Sequence, residues 1–315
     1  MASRMFIAGE WGSVAMRLNL CRVDGDDMTI IATAEGGGVV GCHDFKSAFF
    51  AAAGPWFEAH GPLPVVLAGM IGSNIGWCNS DYAACPAGID DIAANLTTLH
   101  VCGVNIHFTP GLKCHNIFGL PDIIRGEEMQ ILGWLRHNPA PGQRLICLPG
   151  RHVKWLLTEG DRIISFFTGM TGELEDLLLT HGLLAKGIER ATESQAGFLN
   201  GLRAISNDPS LSLAHALFST RGRLILGEHS AQEAASYLKG LLVSADIRDS
   251  LSAHTARDID TKSLVLFDHG PAGAAYSQAL VENGIAFERV NAPLLAVTAM
   301  SEILANGPAS KPGRL

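Results

Sequence analysis

The chain carries little charge, few aromatic rings and no CxxC cysteine pair. Charged residues occupy 17 % of its 315 positions and aromatic residues 7 %. The seven cysteines are an odd number, scattered along the chain, which argues against a secreted disulfide framework and for reduced thiols in a cytoplasm. No apolar run reaches the roughly 18 residues of a membrane span. Glu10 interrupts the opening stretch before a signal-peptide core can form. Basic side chains are also scarce: 23 Lys and Arg stand against 31 Asp and Glu, a formal charge of −8. That balance argues against nucleic acid and anionic membranes as the main partner. A small anionic ligand is not excluded, since it needs only a local cluster of donors. A short-period repeat is absent as well.

What is present is apolar: 47 % of residues are hydrophobic, and the length suggests about two domains, each able to bury a core without staples. The patterning predicts strands over 5–8, 14–23 and 28–34, a helix over 44–60 and a strand over 65–68. A glycine-punctuated loop follows at 69–77, then a strand at 105–108 and a helix over 125–136. Asn138-Pro139-Ala140-Pro141-Gly142 reads as a linker, because two prolines and a glycine cannot continue that helix. Three strands then recur at 145–148, 153–157 and 162–167. A largely helical stretch follows over 171–254, and after it strand, helix, strand and a last helix. The triple glycine at 36–38 reads as a flexible loop, and the tail 307–313 as mobile.

The same order thus occurs twice. The expected fold class is α/β, two lobes with a ligand cleft between them and a helical insertion in the second. The expected boundaries are 1–137 for lobe I and 143–291 for lobe II, with helix 292–306 packing back on lobe I.

Each lobe has a small-residue or donor-rich turn after its first strand: Glu10-Trp11-Gly12-Ser13 and Pro149-Gly150-Arg151-His152-Val153-Lys154. Glycine there lets backbone N–H groups approach phosphate oxygens. One such turn is weak evidence, but two at equivalent places are better. Asp122 is a candidate general base near the cleft, or an N-cap for the helix over 125–136. Glu127 and Glu128 suit a helix N-terminus on dipole grounds alone, and either could orient a substrate or a metal. Arg125 could clamp a substrate carboxylate or pair with Glu128. Lys154 could reach a phosphate or stand in solvent. His152 reads as structural.

Six segments together resemble the 2-dehydro-3-deoxygalactonokinase family. They are Trp11-Gly12-Ser13 with Arg17, Ala68 to Trp77, Pro110-Gly111-Leu112, Arg125-Gly126-Glu127-Glu128, Leu148-Pro149-Gly150 with His152, Lys154 and Trp155, and Met170-Thr171-Gly172-Glu173-Leu174 with Leu177, Leu178 and His181. They keep the family's order over residues 5–181, with weaker likeness beyond. The resemblance implies two ribonuclease-H-like lobes of the actin, sugar-kinase and heat-shock ATPase superfamily. It also implies transfer of the γ-phosphoryl group of ATP, with Mg²⁺, to the 6-hydroxyl of 2-dehydro-3-deoxy-D-galactonate or a related sugar acid.

The roles that follow place Asp122 and Glu127 at the chemistry and Gly12, Ser13, Gly150, Arg151, Lys154 and Gly270 at the nucleotide. Ser73, Asn74, Trp77 and Arg125 fall at the sugar acid, and Glu10 at the metal. The expected partner is a small sugar acid, with no nucleic acid or membrane, and self-association is left open. Several positions depart from the family pattern: Glu10 for the usual Asp, Arg151 for Thr, and Asp268-His269 before Gly270 where a small pair is usual. They motivate an alternative, a catalytically impaired sugar-acid sensor of the same fold.

Overall fold

The structure is a computed structural model that describes residues 4–25, 27–188, 193–268, 270–291, 294–306 and 311–312. Its elements fall into two compact units: Met1–Gly142 with Glu159–Ser165 and Ala292–Leu315, and Gln143–Thr158 with Phe166–Asn291.

The first unit opens with strands β1 (Arg4–Trp11), β2 (Ala15–Asp24) and β3 (Asp27–Gly37). Helix α1 (Phe45–His60), strand β4 (Val65–Ala68) and a short strand β5 (Tyr82–Ala84) follow. Next come α2 (Ile89–Ala94), β6 (Thr97–Val101), β7 (Val104–Phe108), β8 (Gly111–His115), β9 (Pro121–Ile124) and α3 (Glu127–His137). The main sheet has the order β3-β2-β1-β4-β7-β6. β1 runs antiparallel to β2 and parallel to β4, with Glu10 opposite Arg17 on one side and Ala68 on the other. β5, β8 and β9 form a small separate sheet.

Alternation along β1 divides its side chains between two layers. Ile7 and Trp11 join Leu18, Leu67, Phe108 and Phe49 of α1 in a fully buried cluster. Glu10 faces the other way, toward Gln130 of α3. Each large apolar side chain buried like this contributes roughly 1.5–3 kcal/mol. Asp44 caps α1 by accepting from the Ser47 backbone N–H at 2.9 Å, and Gly61 ends it with a φ of 73°.

The second unit's sheet contains β10 (Ala140–Leu148), β11 (Val153–Gly160), β12 (Arg162–Gly169), β13 (Leu264–Phe267) and β14 (Glu288–Val290), ordered β12-β11-β10-β13-β14. Between β12 and β13 lie α4 (Thr171–Thr180), α5 (Gln195–Ser206), α6 (Leu213–Ile225) and α7 (Ala231–Thr255), and α8 (Gly270–Glu282) joins β13 to β14. The second sheet therefore reads third, second, first, fourth, fifth strand, and the first shares its third, second, first, fourth order, with the β6–β7 hairpin completing it through β7. This is the ribonuclease-H-like order expected for each lobe. Helix α9 (Leu295–Ala305) returns to the first unit. There Gly133 of α3 sits so close to the Leu295 carbonyl that a β-carbon would fall 1.8 Å from it, and Arg136 pairs with Glu302 at 3.4 Å.

Several expectations need correction. The 138–142 segment is not a free linker, because β10 already begins at Ala140. The triple glycine is not a loose loop: Gly36 and Gly37 pair with Met16 and Ala15, and the Gly38 N–H donates to the Val14 carbonyl at 2.9 Å. In the tail, Lys311–Pro312 form a short strand, β15, beside β6, and the rest of 307–315 lies outside the described residues. Patterning also missed β5, α2, β6, β8 and β9, elements of three to six residues that carry too few periods to be recognised.

Candidate functional site

In open parallel sheets, ligands bind at the carboxyl ends of the strands. In the first unit those ends are Trp11, Ala68 and Phe108. Glu10 is the penultimate residue of β1 rather than part of the turn. It is half-buried, and burial raises its carboxyl above the usual range, against a hydrogen bond from Gln130 and the nearby Arg17. Behind it the backbones stack closely. A β-carbon on Gly69 would lie 2.9 Å from the Trp11 carbonyl, and one on Gly126 would lie 3.0 Å from Gly69 Cα. With φ values of 97° and 109°, both positions demand glycine on two grounds.

Arg125 departs from both readings of it. Its Nη1 donates to the Gly72 carbonyl at 2.7 Å and to Ser80 Oγ at 2.6 Å, and Nη2 donates to the Ser80 carbonyl at 2.8 Å. The guanidinium also lies 4.2 Å over the Tyr82 ring. The fork is therefore spent on holding the 69–80 segment, with no bidentate face left for a substrate carboxylate. Ser73 is likewise a turn-former, donating to the Met70 carbonyl at 2.7 Å. Trp77 packs against Phe49 and Phe108 with ring centroids 5.7 and 5.9 Å away, so it supports the loop from the core side. Asn74 is exposed at the loop's outer edge.

Asp122 sits on β9, opposite Cys114, and accepts from the Ile123 N–H at 2.8 Å. It is not the N-cap of α3. Gly126 takes that place, and Glu128 Oε2 accepts its N–H at 2.6 Å. Glu127 is the first residue of α3 and half-buried. Glu128 is fully buried, and burial with the neighbouring Glu127 pushes its pKa up to about 8. Its Oε1 has no hydrogen-bond partner. Gly12 closes the first turn by donating to the Ala15 carbonyl at 2.9 Å, leaving Ser13 exposed.

In the second unit, Gly150 and Arg151 form the turn after β10. Arg151 is exposed and pairs with Asp176 of α4 at 2.8 Å, so it neither fills the turn nor stands free. His152 bonds Glu173. Lys154 is buried and donates to Thr168 Oγ1 at 2.7 Å, which rules out the solvent-facing reading. Gly270 starts α8 with a φ of 68°, and Asp268 just before it pairs with Arg289 at 3.4 Å. His269 lies outside the described residues. A cavity of about 390 Å³ opens between the starts of α5 and α8 and the side of α7, lined by Gln195, Phe198, Lys239, Pro271 and Gln278 among others.

A model of the 2-keto-3-deoxy-galactonokinase family matches residues 10–303. The chain belongs to that family. It is 31 % identical over 293 residues to a protein of Rhizobium meliloti (strain 1021) named a probable 2-dehydro-3-deoxygalactonokinase, covering 91 % of this chain and 92 % of the relative. The 2-dehydro-3-deoxygalactonokinase of Escherichia coli (strain K12) is 36 % identical over 184 residues, 58 % of this chain and 60 % of that one. A solved structure from Sinorhizobium meliloti, named for the same kinase, superimposes with a TM-score of 0.81 at 28 % identity, covering 97 % of this chain and 98 % of the other.

As a 2-keto-3-deoxy-galactonokinase family member, the protein is an ATP-using phosphotransferase, and nothing supports the sensor alternative. The matched span begins at Glu10 and includes Arg151 and Gly270, so the unusual residues sit inside the family's frame. Several residues around the candidate site escaped sequence reasoning: Ser80 and Tyr82 behind Arg125, Gln130 beside Glu10, and the side chains lining the cavity. Asp246 escaped it too, although a lone carboxylate within the segment Leu241 to Ile247 is a signal that could have drawn attention to it. Among the described residues no helix is long and apolar enough to cross a membrane.

Proposed function

We propose that this protein transfers the γ-phosphoryl group of ATP to the 6-hydroxyl of 2-dehydro-3-deoxy-D-galactonate. Family membership over residues 10–303 carries the reading. The glycine-built strand ends of the first unit and the cavity of the second supply matching features.

Phosphoryl transfer asks chiefly for positioning and charge neutralisation, with one base to accept the hydroxyl proton. In this reading the exposed amide of Asn74 binds a sugar hydroxyl, and Arg125 holds the loop that presents it. Asp122 takes the proton of the 6-hydroxyl, while Glu127 orients the same hydroxyl. Ser13 and the backbone of Gly12 and Gly150 serve the phosphates. Phe198 and Pro271 offer apolar faces to a purine, and Gln195 and Gln278 offer amides to its edge.

Magnesium fits Glu10. Mg²⁺ keeps most of its waters and takes one or two carboxylates besides phosphate oxygens, so one half-buried carboxylate at a strand end is an adequate protein share. When bound, the ion would supply charge neutralisation to the phosphates. The protein belongs, in this reading, to a cytoplasmic route of sugar-acid breakdown.

The test is ADP release with ATP, Mg²⁺ and 2-dehydro-3-deoxy-D-galactonate, followed by phosphorus NMR of the product. A primary phosphate ester at carbon 6 is expected. Absence of turnover with this acid and its C4 epimer would overturn the proposal.

A further inference from the structure

The role of Asp246 follows from what surrounds it. It lies on α7, far in sequence from both turns, and its carboxyl joins four elements of the second unit. Oδ2 accepts from Trp155 Nε1 of β11 at 3.0 Å and from the Tyr276 hydroxyl of α8 at 2.5 Å. The Thr171 hydroxyl, at the first position of α4, bonds the same carboxyl. With both measured bonds on Oδ2, Oδ1 faces Gly169, where a β-carbon would fall 2.5 Å from it. That approach explains why β12 ends in glycine. Asp246 keeps some exposure, yet it is enclosed enough for burial to raise its carboxyl above the usual range.

One helical turn further, the same segment touches the phosphate turn. A β-carbon on Gly172 would lie 2.9 Å from Arg151 Cα and 3.0 Å from the Gly150 carbonyl oxygen. The Glu173 N–H donates to the Arg151 carbonyl at 3.1 Å, and the Arg151 side chain reaches Asp176 on the same helix. Residues 169–173 are thus wedged between Asp246 and the Gly150–Arg151 turn, with no side-chain volume at Gly169 or Gly172 to absorb a shift. The Tyr276 bond ties the carboxyl to α8, whose first turn supplies Pro271 to the cavity wall.

We propose that Asp246 is a positioning residue for nucleotide: through Thr171 and Gly169 it sets the place of the Gly150–Arg151 turn, and through Tyr276 it aligns the cavity wall with that turn. The proposal rests on reading the second unit as the nucleotide side. It differs from a purely structural role in its signature. A structural role predicts lost stability with kinetic constants unchanged in the folded fraction. The positioning role predicts a change confined to ATP, because misplacing a binding group by about 1 Å costs up to about 100-fold.

The experiment compares Asp246→Asn, Gly169→Ala and Trp155→Phe with Ser244→Ala. Ser244 is a buried hydroxyl residue of the same helix, bonded to the Leu202 carbonyl at 3.1 Å and remote from the turn in its contacts. Steady-state kinetics give KM for ATP and for the sugar acid, and calorimetry gives ATP binding without the acid. The expected result is a rise of about 10–100-fold in the KM and Kd for ATP in the first three. Sugar-acid KM stays at the parent value, and Ser244→Ala loses stability only. Folded Gly169→Ala and Trp155→Phe proteins with parental ATP constants would overturn the proposal, even if Asp246→Asn fails to fold. So would an equal rise in both substrates' constants. Failure of the underlying reading looks different: the parent itself would neither bind nor turn over ATP.

Discussion

Arg125 donates from Nη1 to Ser80 Oγ at 2.6 Å, and that hydroxyl shares its one proton between the Gly72 and Thr109 carbonyls, at 3.0 and 2.9 Å. A buried guanidinium thereby fixes three backbone segments around residues 69–80. Arg125→Lys removes the planar fork that makes this possible. It should destabilise the protein by roughly 2–4 kcal/mol, because buried bonds to a charged donor are lost and their acceptors stay buried. Thermal unfolding measures the loss. A Tm within experimental error of the parent would show that the network contributes nothing.

Asn74 should behave in the opposite manner, affecting binding and not stability. Its amide is exposed, so Asn74→Ala should leave the Tm in place while weakening sugar-acid binding by about 1–3 kcal/mol. Titration calorimetry with the acid checks this. Unchanged affinity removes Asn74 from the pocket.

Glu128 should leave a mark on stability against pH. Its folded pKa of about 8 lies above its ordinary value of 4.5, so the folded state holds a proton that the unfolded chain releases. The stabilisation is complete below pH 4.5 and is lost as pH rises toward 8. Glu128→Gln keeps a carbonyl to accept the Gly126 N–H and has no proton to lose. Its stability relative to the parent should therefore rise between pH 5 and pH 8 by a few kcal/mol. Urea unfolding of both proteins across that window tests it, and parallel curves would refute the shifted ionisation.

Glu10 should matter to turnover more than to sugar binding. If it shares in holding Mg²⁺, Glu10→Gln lowers kcat far more than it raises the sugar-acid KM. Because burial raises the Glu10 carboxyl in the unliganded protein, the acid limb of the parent's kcat/KM profile for ATP, which reports the free enzyme, should lie above the ordinary carboxylate range. Steady-state kinetics against pH decide it. Full turnover in Glu10→Gln would remove Glu10 from the metal site and leave the kinase reading intact.

Two glycines should respond to alanine with opposite signs. Gly76 lies under the Ile71 carbonyl, which a β-carbon would approach to 2.2 Å, so Gly76→Ala should distort the 69–77 loop and destabilise by roughly 1–3 kcal/mol. Gly222, inside α6, has nothing within 4 Å of that position. Gly222→Ala should stabilise by roughly 0.5–1 kcal/mol through helix propensity. Denaturant midpoints of the two variants give the comparison.

The sequence by itself determined the doubled α/β pattern, the long helices and both glycine turns. Period, capping residues and turn formers are local properties, written in neighbouring positions. It also determined the family, because Ala68 to Trp77 and the segment from Arg125 to Glu128 keep their residue types and order. The roles inside those motifs were settled elsewhere. Arg125 looks like a free guanidinium until Ser80 and Tyr82, more than forty positions away, take up its donors. Lys154 and Glu128 look solvated until packing removes the water around them, leaving the ammonium on Thr168 and raising the Glu128 carboxyl. Asp246 joins Trp155, Thr171 and Tyr276, residues separated by up to 121 positions, and no pattern in the chain foretells that meeting. Hydrogen-bond partners and desolvation depend on which distant surfaces come to share a volume, and only the tertiary structure decided that.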